Sequence, residues 1–177
     1  MAPLLHNSLA SVYALMKDCA QTHVLGPDVE IEIEAFDECN NFVNVRAIAK
    51  RIRKAGAGMV GLVGVQSNQF PRALDLGREF RALGVPVVMG GFHLSGCLAM
   101  LPKIPPEMQE ALDLGIHLFA GEAEGRMAEV LCGCGCRPRP DETDKIVELF
   151  ADKIPHTYGA PVRAASGGSA ARLGSRS

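Results

Sequence analysis

One stretch of the sequence, residues 85–95 (VPVVMGGFHLS), constrains the fold more than any other. Its first five residues are apolar, which is typical of a strand buried between helices on both faces of a parallel sheet. Gly90 and Gly91 follow where such a strand ends, and glycines there permit a tight turn or the close approach of another molecule to the backbone. His93 comes directly after them. Ligands of open α/β sheets bind beyond the carboxyl ends of the strands, so this corner is the first candidate site.

The length and composition of the chain are those of one globular domain. It has 177 residues, of which 47% are hydrophobic and 21% are charged, and its net charge is -2. This charge provides no field that would attract nucleic acid or anionic lipid. The apolar runs are too short to cross a bilayer, and the first residues do not have the pattern of a signal peptide. We therefore expect neither a nucleic-acid partner nor a membrane partner, and a cytoplasmic location.

Helical and strand patterns alternate along the chain. The edge strand in this order carries Glu30, Glu32 and Glu34 on one face, which must stay in water. Between residues 90 and 106 the prolines predict a rigid irregular loop. Strict alternation implies a parallel sheet with right-handed crossovers and helices on both faces. The predicted order is a helix over 5–19, an edge strand over 28–36, a helix over 42–55, a strand over 59–65, a helix over 71–83, a strand over 85–89, a helix over 107–114, a strand over 116–120 and a helix through 127–131.

The composition changes after Leu131, which divides the chain into an α/β domain over 1–131 and a segment over 132–177. In that segment we expect a linker, one helix over 145–154 and a disordered tail, because large apolar residues are scarce. Cys132, Cys134 and Cys136 stand in a glycine-rich turn. Their spacing is tighter than in the usual structural zinc sites, so we assign no metal to them and leave their role open.

Three polar or glycine-rich loops follow three successive strands, and their content resembles the N-terminal cobalamin-binding domain of cobalamin-dependent radical SAM enzymes. In that family one strand ends in a loop with Ser or Thr, the next in Gly-Gly-x-His and the last in Gly-Glu-x-Glu. The resemblance extends over residues 9–130. It implies a flavodoxin-like (Rossmann-like) sheet that holds cobalamin at the carboxyl ends of its strands. The cofactor-binding residues would be Gln66, Ser67, Asn68, Gly90, Gly91, Phe92, His93, Gly121 and Glu122.

The sequence departs from this family in three respects. There is no Asp-x-His-x-x-Gly pattern, so cobalamin would have no lower-axial histidine, and we expect His93 to be a loop residue near the corrin rather than a metal ligand. The Cys-x-x-x-Cys-x-x-Cys loop is also missing. The iron-sulfur cluster and S-adenosylmethionine would belong to a separate catalytic domain, a partner of this one, and we do not expect catalysis by this chain alone.

The third departure concerns the first strand of the sheet. In the strand order 2-1-3-4-5 of flavodoxin-like sheets, a strand should lie between the acidic edge strand and the strand at Met59, and the sequence does not contain it. We therefore expect a truncated or frame-disrupted member of the family.

The residues also admit other interpretations. The alternative function is that of a flavodoxin-like interaction or regulatory module that binds no cofactor. Gly-Gly-Phe-His can be a simple turn, and Ser67 and Asn68 can cap the helix that follows them. Glu122 and Glu124 can form an acid/base pair or favour the start of the last helix through its dipole.

Overall fold

The computed structural model describes residues 7–38 and 42–133, which form a mixed α/β fold. The elements in this part of the chain are α1 (Asn7–Gln21), α2 (Val45–Ala55), β1 (Val60–Leu62), α3 (Phe70–Ala82), β2 (Val87–Gly90), α4 (Phe92–Met100), α5 (Pro106–Asp113), β3 (His117–Phe119) and α6 (Met127–Gly133). None of the helices within these two ranges is long and apolar enough to cross a membrane. The predicted helix over 145–154 and the predicted tail lie outside the described residues.

The three strands form one parallel sheet in the order β1-β2-β3. Val60 pairs with Val87 across the first interface, and Met89 pairs with Leu118 across the second. The parallel sheet predicted from the alternation of elements is therefore confirmed. The strands are shorter than predicted, with three, four and three residues, and β2 ends one residue later than predicted, at Gly90. The carboxyl ends of all three meet at one edge of the sheet.

Side chains of the central strand point alternately to two apolar clusters, one on each face of the sheet. Val87 and Met89 are fully buried in the larger cluster, together with Phe80 from α3 and Met108 from α5. Val88 points to the opposite face, where it joins a smaller cluster with Phe119 and Val130. Burial of each such side chain stabilises the fold by roughly 1.5–3 kcal/mol. Helices thus cover both faces, as the uninterrupted apolar run predicts.

Helix α2 ends where the sequence predicts, but it begins at Val45 rather than at residue 42. Asn44 is its N-cap, and the Asn44 side chain accepts a hydrogen bond of 3.0 Å from the backbone N–H of Ala47. Gly56 ends the helix in a left-handed conformation with φ of 87°. Phe42, which we assigned to the start of this helix, lies before the cap and is 88% exposed. That assignment is wrong because the apolar periodicity holds only once the helix has begun.

The predicted edge strand over residues 28–36 is wrong, since no ladder forms there in the described part of the chain. The alternation itself is present: Glu30, Glu32 and Glu34 are exposed and the apolar residues between them are half-buried. Glu34 forms an ion pair of 2.6 Å with Arg51 of α2, which fixes the segment beside that helix. A strand needs a partner at hydrogen-bonding distance, and a local pattern cannot supply one.

The irregular loop predicted from residue 90 to 106 is also wrong, because its first half is helix α4. Leu94 and Leu98, one turn apart, are buried in the larger core cluster and hold this helix against the sheet. The prolines that suggested a loop begin only at Pro102, after the helix has ended. His93, expected in a loop, therefore lies in the first turn of α4.

Candidate functional site

The loops after β1 and β2 are joined by backbone hydrogen bonds at the carboxyl edge of the sheet. The N–H of Val65 donates to the carbonyl of Gly90 at 3.1 Å, and the N–H of His93 donates to the carbonyl of Val65 at 3.2 Å. These two bonds continue the strand pairing past the end of the ladder. They bring Gln66, Ser67 and Asn68 beside the Gly-Gly-Phe-His corner, as the positions of the loops at successive strand ends predicted.

The loop after β3 is attached to the same edge through α4. The N–H of Gly121 donates a hydrogen bond of 3.0 Å to the hydroxyl of Ser95. Arg126 contacts this loop through two interactions. Its guanidinium lies 4.6 Å from the centre of the Phe119 ring. It also donates a hydrogen bond of 3.1 Å to the carbonyl of Ala120. All three predicted loops therefore meet at one edge. Glu122 is exposed there.

Gly91 is required by the contact between two stretches of backbone. A Cβ atom at this position would overlap the backbone nitrogen of Val65 and would lie 2.6 Å from its oxygen and 2.8 Å from the carbonyl carbon of Gly64. The φ of Gly91 is +154°, which also disfavours a side chain. The sequence suggested that this glycine lets a ligand reach the backbone. The structure gives it another role, because the space that a Cβ would need is filled by the protein itself.

A cluster of three polar side chains forms the centre of the site. The hydroxyl of Ser67 lies 2.9 Å from Nδ1 of His93, and the thiol sulfur of Cys97 lies 3.7 Å from the same nitrogen. The edge of the Phe70 ring packs against the imidazole, with the ring centres 5.3 Å apart. The imidazole is thus held between an aromatic ring on α3 and two hydrogen-bonding groups. We call Ser67, His93 and Cys97 the polar triad.

The side chain of Ser67 does not cap α3. The N-cap of that helix is Gln69, which makes no side-chain cap hydrogen bond to it. The Oε1 atom of Gln69 instead accepts from the N–H of Gln66 at 3.1 Å and closes the loop on itself. The capping interpretation of Ser67 is therefore wrong, and its hydroxyl is directed to His93.

The rim of the site is exposed, and its acidic residues are Glu122 and Glu124 of the loop after β3. Gln66, Asn68 and Phe92 have their side chains in solvent, and Phe92 is 86% exposed at the start of α4. An aromatic ring this exposed, among amides and a hydroxyl, can contact a flat ligand. The edge therefore offers hydrogen-bond donors and acceptors around an apolar contact surface.

Glu122 and Glu124 do not support the start of α6, which begins only at Met127. The acidic residue in the first turn of that helix is Glu129, which lies 3.8 Å from Arg126. The interpretation of Glu122 and Glu124 as residues placed by the helix dipole is therefore wrong. Both are exposed in the loop that precedes the helix.

Sequence reasoning missed two residues of this site, Ser95 and Cys97, because it assigned them to a loop. A signal for the helix was present: no proline occurs between Phe92 and Leu101, and Leu94 and Leu98 stand four residues apart. Once α4 is recognised, the same spacing places His93 and Cys97 on one face.

No cluster of three or more His, Cys, Asp or Glu side chains suited to a metal ion occurs within residues 7–38 and 42–133. Cys132 is exposed on α6, whereas Cys134 and Cys136 lie outside the described residues. Comparison of the chain with known protein families, with curated proteins and with solved structures found no match.

Proposed function

We propose that this chain is the cobalamin-binding domain of a cobalamin-dependent radical SAM protein and holds the corrin at the carboxyl ends of its parallel strands. The observation that supports this most is the convergence of the three loops that carry the family resemblance. They are separate in sequence, yet Ser67 contacts His93 at 2.9 Å and Gly121 bonds to Ser95 at 3.0 Å. The parallel sheet brings the three loops to one edge, and these two contacts join their polar groups into one site.

The residues at this edge fit the chemistry of cobalamin. The corrin is a flat macrocycle with amide side chains, and such amides both donate and accept hydrogen bonds. Gln66, Ser67 and Asn68 can do both in return, and Phe92 offers an aromatic surface for the macrocycle. His93 would act through Ser67, because its Nδ1 atom fixes the direction of the hydroxyl. When bound, cobalamin would supply the group-transfer or radical chemistry, and this domain would bind and orient it.

The sheet also agrees with a flavodoxin-like arrangement. Its three parallel strands in the order β1-β2-β3 match the last three strands of the order 2-1-3-4-5. The other edge of β1 has no strand partner in the part of the chain that the structure describes. A preceding strand of the flavodoxin-like sheet would lie at that edge. Within this proposal β1, β2 and β3 are strands 3, 4 and 5.

A second candidate function is a cofactor-free interaction module, and the outer surface of α4 favours it. Phe92 and Met100 are 86% and 83% exposed, and eight residues place them on the same side of the helix, about 12 Å apart. Such an apolar surface also suits contact with another protein. The two candidates differ in one respect, since only the first requires the polar side chains at the carboxyl edge.

Retention of cobalamin tests the proposal directly. The purified chain is incubated with hydroxocobalamin and desalted, and the visible spectrum of the protein fraction is recorded. We expect stoichiometric corrin absorbance with the wild-type chain. If all the colour elutes with the small molecules while circular dichroism shows a folded chain, the proposal is wrong.

Substitutions at the rim locate the site. Ser67→Ala removes a hydrogen bond worth about 1 kcal/mol and should weaken retention by about fivefold. Phe92→Ala should weaken it by about tenfold, through loss of more than 1 kcal/mol of apolar contact. Met100→Ala is the matched control, because it removes a similarly exposed apolar side chain at the far end of the same helix. Equal losses in Phe92→Ala and Met100→Ala would show that Phe92 does not contact the corrin at the carboxyl edge.

A further inference from the structure

The polar triad has a property that cobalamin binding does not use. Its three donor atoms are an imidazole nitrogen, a thiol sulfur and a hydroxyl oxygen. Both of the others lie close to Nδ1 of His93: Oγ of Ser67 at 2.9 Å and Sγ of Cys97 at 3.7 Å. Imidazole and thiolate are the ligands that Zn²⁺ and similar cations prefer.

The separation of nitrogen and sulfur can be compared with the geometry of a metal chelate. Zinc binds histidine nitrogen at about 2.0–2.1 Å and cysteine sulfur at about 2.3 Å, so a tetrahedral angle places the two atoms about 3.5 Å apart. The observed 3.7 Å differs from this by an amount that a small side-chain rotation removes. The four-residue spacing on α4 places both side chains on one face of the helix, within reach of a single ion.

In contrast to the sequence-based expectation that His93 is not a metal ligand, we propose that His93 and Cys97 chelate a thiophilic metal ion of the Zn²⁺ class, with the Ser67 hydroxyl as a weaker third donor. Only two of the three groups are strong ligands, which is consistent with the absence of larger His, Cys, Asp and Glu clusters from the ranges 7–38 and 42–133. In a tetrahedral site the fourth coordination position belongs to water or to an incoming ligand, as in open metal sites. This proposal does not depend on cobalamin binding.

Two features of the surroundings support the chelate. The Phe70 ring holds the imidazole from the side, with the ring planes at 66°, and so limits its rotation. Cys97 borders an open groove formed with residues 101–107, which gives the metal a path from solvent. By contrast, Cys19 of α1 is buried, and this burial raises the pKa of its thiol. It does not compete for the ion.

Cobalt(II) is a suitable probe, because a cobalt–thiolate bond gives a charge-transfer absorption that nitrogen and oxygen ligands do not give. The clustered cysteines near residue 134 could produce the same signal. The starting protein is therefore the full chain with Cys132→Ser, Cys134→Ser and Cys136→Ser. Under reducing conditions we expect one equivalent of Co²⁺ to produce the thiolate band, and Zn²⁺ to abolish it by displacement. If this protein gives no band, the proposal is wrong.

Three further variants assign the ligands. Cys97→Ser should remove the charge-transfer band completely, whereas Cys19→Ser should retain it. His93→Phe should raise the dissociation constant at least tenfold, and it keeps an aromatic ring against Phe70 so that loss of packing is not the cause. Ser67→Ala should raise the dissociation constant of the metal about tenfold, as expected for a group that orients or weakly ligates the ion. A band that survives Cys97→Ser, or an unchanged affinity in His93→Phe, would overturn the assignment.

Discussion

Replacement of Gly91 by alanine should destabilise the fold more than its position at the surface edge of the sheet suggests. The added methyl group meets only backbone: the nitrogen of Val65, its oxygen at 2.6 Å and the carbonyl carbon of Gly64 at 2.8 Å. No side chain can rotate to make room. The loop after β1 must therefore move away from the start of α4.

The size of the effect can be worked out from what that movement breaks. Overpacking in a close-packed region costs about 1–3 kcal/mol. The movement also breaks the two backbone hydrogen bonds between the loops, of 3.1 and 3.2 Å, and each of these contributes about 0.5–1.5 kcal/mol. We expect the free energy of unfolding to fall by about 4 kcal/mol, a large part of the roughly 5–15 kcal/mol of a typical domain.

Gly90→Ala provides a matched control one residue earlier. A Cβ at Gly90 would lie 3.4 Å from the backbone oxygen of Phe119 and 3.5 Å from its Cβ, which are tolerable contacts. The expected change is less than about 1 kcal/mol. The chain has no tryptophan, so urea unfolding is followed by circular dichroism. If Gly91→Ala and Gly90→Ala unfold at the same urea concentration, the backbone contact does not determine the residue at position 91.

Two further predictions concern a helix cap and a half-buried histidine. Asn44→Ala should lower the free energy of unfolding by about 1 kcal/mol in urea unfolding, because it removes the cap bond to Ala47; Asn44→Ser should retain most of it, and equal losses in both variants would contradict the cap. Burial, followed by repulsion from Arg81, lowers the pKa of His117 below 6.5 in the folded protein. The unfolded chain then binds the proton more readily, so this contribution to stability is complete above pH 6.5 and decreases as the pH falls through the folded pKa. His117→Gln should flatten the profile of unfolding free energy over that range, and an unchanged slope would refute the assignment.

The parts of the fold that local chemistry determines could be predicted from the sequence. Asn44 and Gly56 define the ends of α2 because capping and left-handed termination depend on one residue each. The central strand follows from an apolar run that only burial on both faces explains. The prediction of an edge strand over the acidic segment 28–36 was wrong because a strand depends on a partner that is distant in sequence. Helix α4 was not predicted because the prolines that follow its end suggested a loop over the whole stretch from residue 90 to 106.

The candidate site could be predicted as a set of loops but not as a set of contacts. Parallel strands bring their carboxyl ends to one edge, so the loops at Ser67, His93 and Gly121 had to meet. The bond between Ser67 and His93 joins residues 26 positions apart, and its existence depends on the first turn of α4. Cys97 enters the site only through that helix. Gly91 was assigned to the site because of its motif, but the structure shows that a glycine is required there by backbone packing.

The two proposals make opposite demands on one atom. Nδ1 of His93 has a single lone pair when it is unprotonated, so it either accepts the hydrogen bond from Ser67 or binds a metal ion. In the first state the Ser67 hydroxyl is fixed for a ligand at the carboxyl edge. In the second its partner is lost and the hydroxyl turns towards the metal. A metal ion at His93 and Cys97 should therefore weaken ligand binding through Ser67, and an ion that leaves the retention of cobalamin unchanged would show that Ser67 is not oriented by His93.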